Sequence, residues 1–268
     1  HPDAEIGNLK VAGVHVENAA EGAAGLMGVL AVRNHGRIHD CSTSADCGSR
    51  VGLDTDYIGG LVAVNEADGE IRRCSVSWAA MGKFDRGGLT CWGGIAGHNC
   101  GSIIECHASA LVGGAIGRCA ALVGLNDGIV ADCYADGYSA IAGLVYSNHG
   151  KVTNCCAAVI VPSGKGRGGL VSENAGGTIT NSYFLAEADG GGPDNGLGTA
   201  LSDAQMRSEA SFSGWDFDGI WSLCEGDGYP HLRWEEACDL SEDTPAGRRW
   251  PRSSGRGEFS HLPFVAMV

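Results

Sequence analysis

The chain has 268 residues, 44 of them glycine, and a formal net charge of −14 at pH 7. That acidity repels phosphate backbones and argues against nucleic acid as a partner, and a hydrophobic fraction of 44% argues against general disorder. Glycine without a strict three-residue period excludes collagen, and the sequence has no apolar run of the roughly 18 residues that a membrane-spanning helix needs.

In chain order, the first residues are His1-Pro2-Asp3, with no initiator Met and no signal peptide. The expectation is a processed or trimmed product. Residues 6–18 read as a degenerate opening coil. Six imperfect copies of Gly-Leu/Ile-Val/Ala-x-x-Asn-x-Gly-x-Ile/Val-x-x-Cys follow, at 28–41, 60–74, 94–106, 121–133, 143–155 and 169–182. The clearest is Gly143-Leu144-Val145-Tyr146-Ser147-Asn148-His149-Gly150-Lys151-Val152-Thr153-Asn154-Cys155. The motif asparagines are Asn34, Asn65, Asn99, Asn126, Asn148 and Asn174, so the period lies in the twenties to thirties. Such a period marks a solenoid or repeat array.

Each copy holds two short apolar runs around Asn-x-Gly. A lone hairpin cannot bury its apolar face, whereas stacked coils pair each strand with its equivalent in the next coil. The expected fold is all-β: a right-handed parallel β-helix (β-solenoid) with a small C-terminal cap. Residues 1–198 form the solenoid. Residues 199–240 form an aromatic cap over its end, since exposed strand edges need cover, with Ser202 as the N-cap of a short helix. Residues 241–268 form an extended tail. Its apolar end supplies the candidate assembly residues Phe259, Leu262, Phe264 and Val265.

Equivalent positions of a solenoid stack about 4.8 Å apart. Asn34, Asn65, Asn99, Asn126, Asn148 and Asn174 should therefore bond coil to coil at a turn, where Asn tolerates left-handed φ. The Gly shortly after each takes the same explanation. Cys41, Cys74, Cys106, Cys133 and Cys155, followed by Ser182, should form a second ladder, of buried free thiols. No metal site or cofactor is expected, because no Cys-x-x-Cys pair occurs and stacked equivalents lie in a line. The off-ladder cysteines suit disulfides: Cys224 with Cys238 closing the cap, Cys91 with Cys119 one coil apart, or Cys41 with Cys47 locally. Any of these implies an oxidising compartment.

The repeats resemble the GLUG motif. Gly169-Leu170-Val171 and Ala121-Leu122-Val123-Gly124-Leu125-Asn126 match its opening, and Asn148-x-Gly150-x-Val152-x-Asn154-Cys155 its second half. Phe212-Ser213-Gly214-Trp215-Asp216-Phe217, with Trp221 and Tyr229-Pro230-His231-Leu232, is similar to the segment that follows such arrays. The resemblance covers roughly residues 25–235 and implies a bacterial secreted or surface-exposed scaffold without chemistry of its own.

The expected function is a non-catalytic, extracellular structural or adhesive β-solenoid that self-assembles head to tail into a fibre. Its expected partners are further copies of itself, or an extracellular glycan or cell surface. The alternative is a carbohydrate-active enzyme (polysaccharide lyase or hydrolase) or a glycan-binding module. Lys83, Asp85 and Arg86 in one insertion, Lys165 and Arg167 in another, and His98 and His107 are the polar candidates for it. Trp78, Trp92 and Tyr134 are the candidate stacking platforms.

Overall fold

The computed structural model describes residues 2–16, 25–47, 55–82, 90–114, 117–224 and 228–235. The coil containing Asn99 shows the pattern. It has four strands, Cys91–Gly93, Ala96–Asn99, Ser102–Ile104 and His107–Gly114, separated by tight corners. Equivalent strands of successive coils pair in parallel, giving stacks of four, six, seven and eight strands. The protein is an all-β parallel solenoid.

Register is kept by the interior. Asn34, Asn65, Asn99, Asn126, Asn148 and Asn174 pair directly along the six-stranded stack. In the seven-stranded stack Ile6, Ile38, Ile71, Ile103, Val130, Val152 and Ile179 pair one above another. Adjacent strand residues face opposite sides, so a one-residue slip would turn this aliphatic column to solvent. The second apolar residue of each copy adds a parallel column, with Leu61, Ile95, Leu122, Leu144 and Leu170 fully buried. Length varies elsewhere. The strand after the thiol corner runs eight residues in Ser75–Gly82 but five in Cys156–Ile160.

The asparagine ladder has a direction. Each Nδ2 donates to the Oδ1 of the next coil, from Asn34 to Asn65, Asn99 and Asn126 and on to Asn148 at 2.8 Å, then to Asn174 at 2.9 Å. Nδ2 also donates to backbone carbonyls, such as Ile129 O from Asn99 at 3.1 Å. From Asn34 to Asn148 these amides are buried and satisfied, as an interior polar group must be.

Two expectations about backbone shape are corrected. Except for Gly176, whose φ is 91°, neither the ladder asparagines nor the glycines of Asn-x-Gly have positive φ. Those glycines are required by lack of space: a Cβ on Gly128 would lie 2.1 Å from Gly101 O, and one on Gly150 2.0 Å from Gly128 O. The left-handed position is the residue just before each ladder thiol, or before Leu9 and Ser182 in the same slot of the first and last coils. Asn8, Asp40, Arg73, Glu105, Asp132, Asn154 and Asn181 all have φ between 46° and 57°. It escapes the motif because four residue types occupy it.

Cys41, Cys74, Cys106, Cys133 and Cys155 are buried free thiols. Each contacts two carbonyls. Cys106 Sγ reaches Ile104 O at 3.2 Å and Ile71 O, in the coil before, at 3.7 Å. Ser182 fills the same slot, donating to Thr180 O at 2.8 Å and accepting from Cys155 N at 3.1 Å. What the position needs is a small side chain that both donates and accepts. Burial pushes the Cys133 thiol well above its ordinary pKa, and the neighbouring ladder thiols add to the shift.

After the last coil, Thr199–Leu201 adds one strand to the eight-stranded stack. Ser202 then caps helix Asp203–Met206 through a reciprocal pair: Gln205 N donates to Ser202 Oγ, and Ser202 N to Gln205 Oε1. The aromatic residues that follow pack on the last strand through Leu201 and also run back along the flank of the solenoid. Phe212, Trp215, Trp221, Tyr229 and Leu232 pack with Tyr134, Cys156 and Tyr183, which are outward positions of three successive strands of the eight-stranded stack. Trp234 Nε1 donates to Glu105 O at 2.9 Å, further back still. The segment is a flank buttress as much as a cap. Residues 241–268 lie outside the described residues.

Candidate functional site

Because each ladder Asn points inward, its two neighbours point outward. The residue after it, the variable position of Asn-x-Gly, is His35, Glu66, Cys100, Asp127, His149 and Ala175 in successive coils. From Glu66 on, the backbone N–H of each donates to the carbonyl of the preceding coil's Asn, at 2.7 to 2.9 Å. The column is therefore in strict register. The residue before each Asn makes a second column, Arg33, Val64, His98, Leu125, Ser147 and Glu173.

At the N-terminal end the columns hold surface ion pairs, Arg33 with Glu66 and His35 Nδ1 with Asp68 Oδ1 at 3.0 Å. In the middle they converge. His98 Nε2 lies 2.7 Å from Asp127 Oδ2, and His149 Nδ1 lies 2.8 Å from the other oxygen, Oδ1. Cys100 Sγ lies 3.2 Å from His98 Nε2. One ligand-type atom from each of His98, Cys100 and Asp127 falls within 4.8 Å of the others. The His98 ring also packs on Tyr57, centroid to centroid 4.8 Å.

Burial would raise the Asp127 carboxyl, but hydrogen bonds from His98 and His149 outweigh it and hold the pKa below its ordinary value. Burial, with the nearby Asp127 and Glu66 carboxylates, pushes the Cys100 thiol up. The cluster offers an imidazole nitrogen, a sulfur and a carboxylate oxygen at one point on the outer surface. Sequence reasoning missed it because the variable position of a repeat reads as noise. The only available signal was that five of its six occupants are His, Glu, Cys or Asp.

A second cluster stands on the flank. His107 is buried and stacks on Tyr134 with centroids 4.1 Å apart. Asp136 Oδ2 lies 3.0 Å from its Nε2, and Glu235 Oε1 3.2 Å from its Nδ1. Burial alone would lower its pKa, but the two carboxylates outweigh that and lift it to about 9. Thus His98 and His107, both polar candidates in the sequence, occupy separate faces with separate partners.

The other expected site residues are placed as follows. Cys91 and Cys119 do not form the expected disulfide; both are thiols. They sit one residue out of register, Cys91 opposite Arg118 and Cys119 opposite Trp92, so they face opposite sides of the strand pair. Cys41 is likewise a thiol, which rules out its bond with Cys47. Cys224 is disulfide-bonded, while Cys238 lies outside the described residues. Trp78, Trp92 and Tyr134 are buried and provide no stacking platform. Arg167 turns back on its own loop, donating to Pro162 O at 3.0 Å. Lys83, Asp85, Arg86, Phe259, Leu262, Phe264 and Val265 lie outside the described residues.

No helix among the described residues is long and apolar enough to cross a membrane. No family model and no solved structure matches the chain. Over 100 residues the chain is 41% identical to a protein of Evansella cellulosilytica named as a Gly-rich membrane protein. The shared stretch is 34% of this chain and 11% of that relative.

Proposed function

We propose that the chain is a non-catalytic, extracellular β-solenoid module of GLUG-repeat type, a structural and adhesive element of a secreted or cell-surface protein. The observation that carries this reading is the use to which the repeat is put. Its most regular residues, the asparagines up to Asn148 and the thiols, are buried and bonded to the neighbouring coil. A sequence that repeats only what holds coils together specifies a rigid rod. The partial likeness to a much longer Gly-rich membrane protein fits a module within a long surface chain.

Head-to-tail assembly into a fibre is part of the proposal. The outermost described strand at each end of a stack pairs on one side only, for example Ala31–Asn34 and Val171–Asn174. The ladder between them starts with the Oδ1 of Asn34 and finishes with the Nδ2 of Asn174, so its two ends are complementary. A heterologous contact of this kind propagates unless its rotation closes a ring.

Negative-stain microscopy of the purified chain, with light scattering over a concentration series, tests the assembly. Rods longer than one chain are expected, growing with concentration. Single particles at every concentration would remove the fibre from the proposal. Turnover of any substrate in a polysaccharide panel would overturn the non-catalytic reading.

A further inference from the structure

We infer that His98, Cys100 and Asp127 form a binding site for a zinc-class divalent ion on the outer surface of the solenoid, with His149 positioning the Asp127 carboxylate. This site is independent of the fibre proposal.

The geometry is near what such an ion requires. Zinc takes nitrogen and carboxylate oxygen at about 2.0–2.2 Å and sulfur at about 2.3 Å, which places tetrahedral ligands roughly 3.3–3.7 Å from one another. Here Nε2 to Oδ2 is 2.7 Å, Nε2 to Sγ is 3.2 Å, and all three atoms fall within 4.8 Å. Small χ rotations open this triangle around an ion.

The scaffold holds the ligands in place. His98 and Cys100 flank Asn99, and Asp127 follows Asn126. Both asparagines are fully buried and joined to each other at 2.8 Å. Their backbones are fixed by the Asp127 N to Asn99 O bond, also 2.8 Å. A site on rigid strands, with its carboxylate held from behind by the His149 ring at 2.8 Å, is preorganised in the way metal sites require.

The donor set selects the ion. A thiolate with an imidazole favours zinc-class metals over calcium or magnesium, which take oxygen ligands. On coordination the Cys100 proton leaves to solvent, since the thiolate is the ligand. Among the nine free thiols of the described residues Cys100 is also the partly exposed one, the other eight being buried. Three protein ligands leave a fourth position for water or for a donor from another molecule.

Cobalt(II) is the probe, because a thiolate ligand gives it a charge-transfer band. The full chain, metal-free and reduced with a phosphine, is titrated with cobalt while its far-ultraviolet dichroism is followed to confirm the fold. One equivalent should bind with the band, and zinc should abolish it. Cys100→Ser and Cys100→Ala should both remove the band, and Cys156→Ser, a buried-thiol control, should keep it. His98→Gln and Asp127→Asn should each weaken binding by about ten-fold or more, and His149→Gln by about ten-fold with the band retained. Absence of cobalt binding by the folded chain at about 100 μM, or a band that survives both Cys100 substitutions, overturns the assignment.

Discussion

His107 and Glu235 meet on the flank of the solenoid, Nδ1 to Oε1 at 3.2 Å, although one lies in the third repeat coil and the other at the end of the described chain. The contact ties the buttress to the rod. Tyr134 OH donates to the same carboxylate at 2.6 Å, and Trp234 Nε1 anchors the preceding residue on Glu105 O.

That contact predicts a pH dependence. His107 titrates at about 9 in the folded chain against an ordinary 6.5. Its stabilisation is therefore complete below the ordinary value and is lost as pH rises through about 9. Glu235 moves the other way. Burial would raise its pKa, but His107 and Tyr134 hold it below the ordinary carboxyl value. Its contribution is present above that value and is lost as pH falls through the lowered one. Tryptophan fluorescence should shift to the red as pH rises from 7 to 10. His107→Gln should bring that shift to neutral pH. An emission maximum that stays constant to pH 10 would show that the pair does not hold the buttress.

The asparagine ladder predicts a position-dependent cost. Asn99→Ala deprives Asn126 Oδ1 of its ladder donor and Asn65 Nδ2 of its side-chain acceptor, although Asn65 Nδ2 keeps the Gly69 and Ser102 carbonyls. An unsatisfied buried group costs about 1–3 kcal/mol and a lost hydrogen bond about 1 kcal/mol, so a loss of about 2–4 kcal/mol is expected from denaturant unfolding. Asn174→Ala, at the exposed end of the ladder, should cost about 1 kcal/mol or less on the same mutational scale. Equal costs at the two positions would contradict the ladder's role.

The thiol column predicts a chemical preference. Cys106→Ser keeps a small donor between Ile104 O and Ile71 O, as Ser182 does in its own coil. It should change stability by less than about 1 kcal/mol, whereas Cys106→Val, which fills the slot but bonds neither carbonyl, should cost about 1–3 kcal/mol. Thermal unfolding of the two variants checks the order. In the native state the ladder thiols should be inert to a thiol reagent that modifies Cys100.

The left-handed corner predicts a stabilising change. Asp132 has φ of 51°, and burial raises its carboxyl pKa. The next two coils carry Asn154 and Asn181 at this position. Asp132→Asn keeps an oxygen for Asn154 Nδ2, which donates to Asp132 at 3.2 Å, and removes a half-buried charge. A gain of up to about 1 kcal/mol is expected, while Asp132→Val should lose about 1–2 kcal/mol, because a β-branched side chain clashes with left-handed backbone. Melting curves of the two variants should move in opposite directions.

The sequence alone determined the repeat, its asparagine and thiol positions and hence the parallel stacking, because stacking demands the same small or aliphatic residue at every coil, and identity at a fixed position is visible in one chain. It also determined the Ser202 cap, which is a local pattern. Only the tertiary structure decided what the irregular positions do. The left-handed corner is defined by backbone shape, which Asp, Arg, Glu and Asn can all adopt. The flank buttress depends on which outward residues, Tyr134, Cys156 and Tyr183, the register aligns. The register between Cys91 and Cys119 decided that they face apart. His98, Cys100, Asp127 and His149 come from three different coils, and nothing in their sequence spacing announces that a common rung position, fixed by the buried asparagines beside them, brings their side chains to one place.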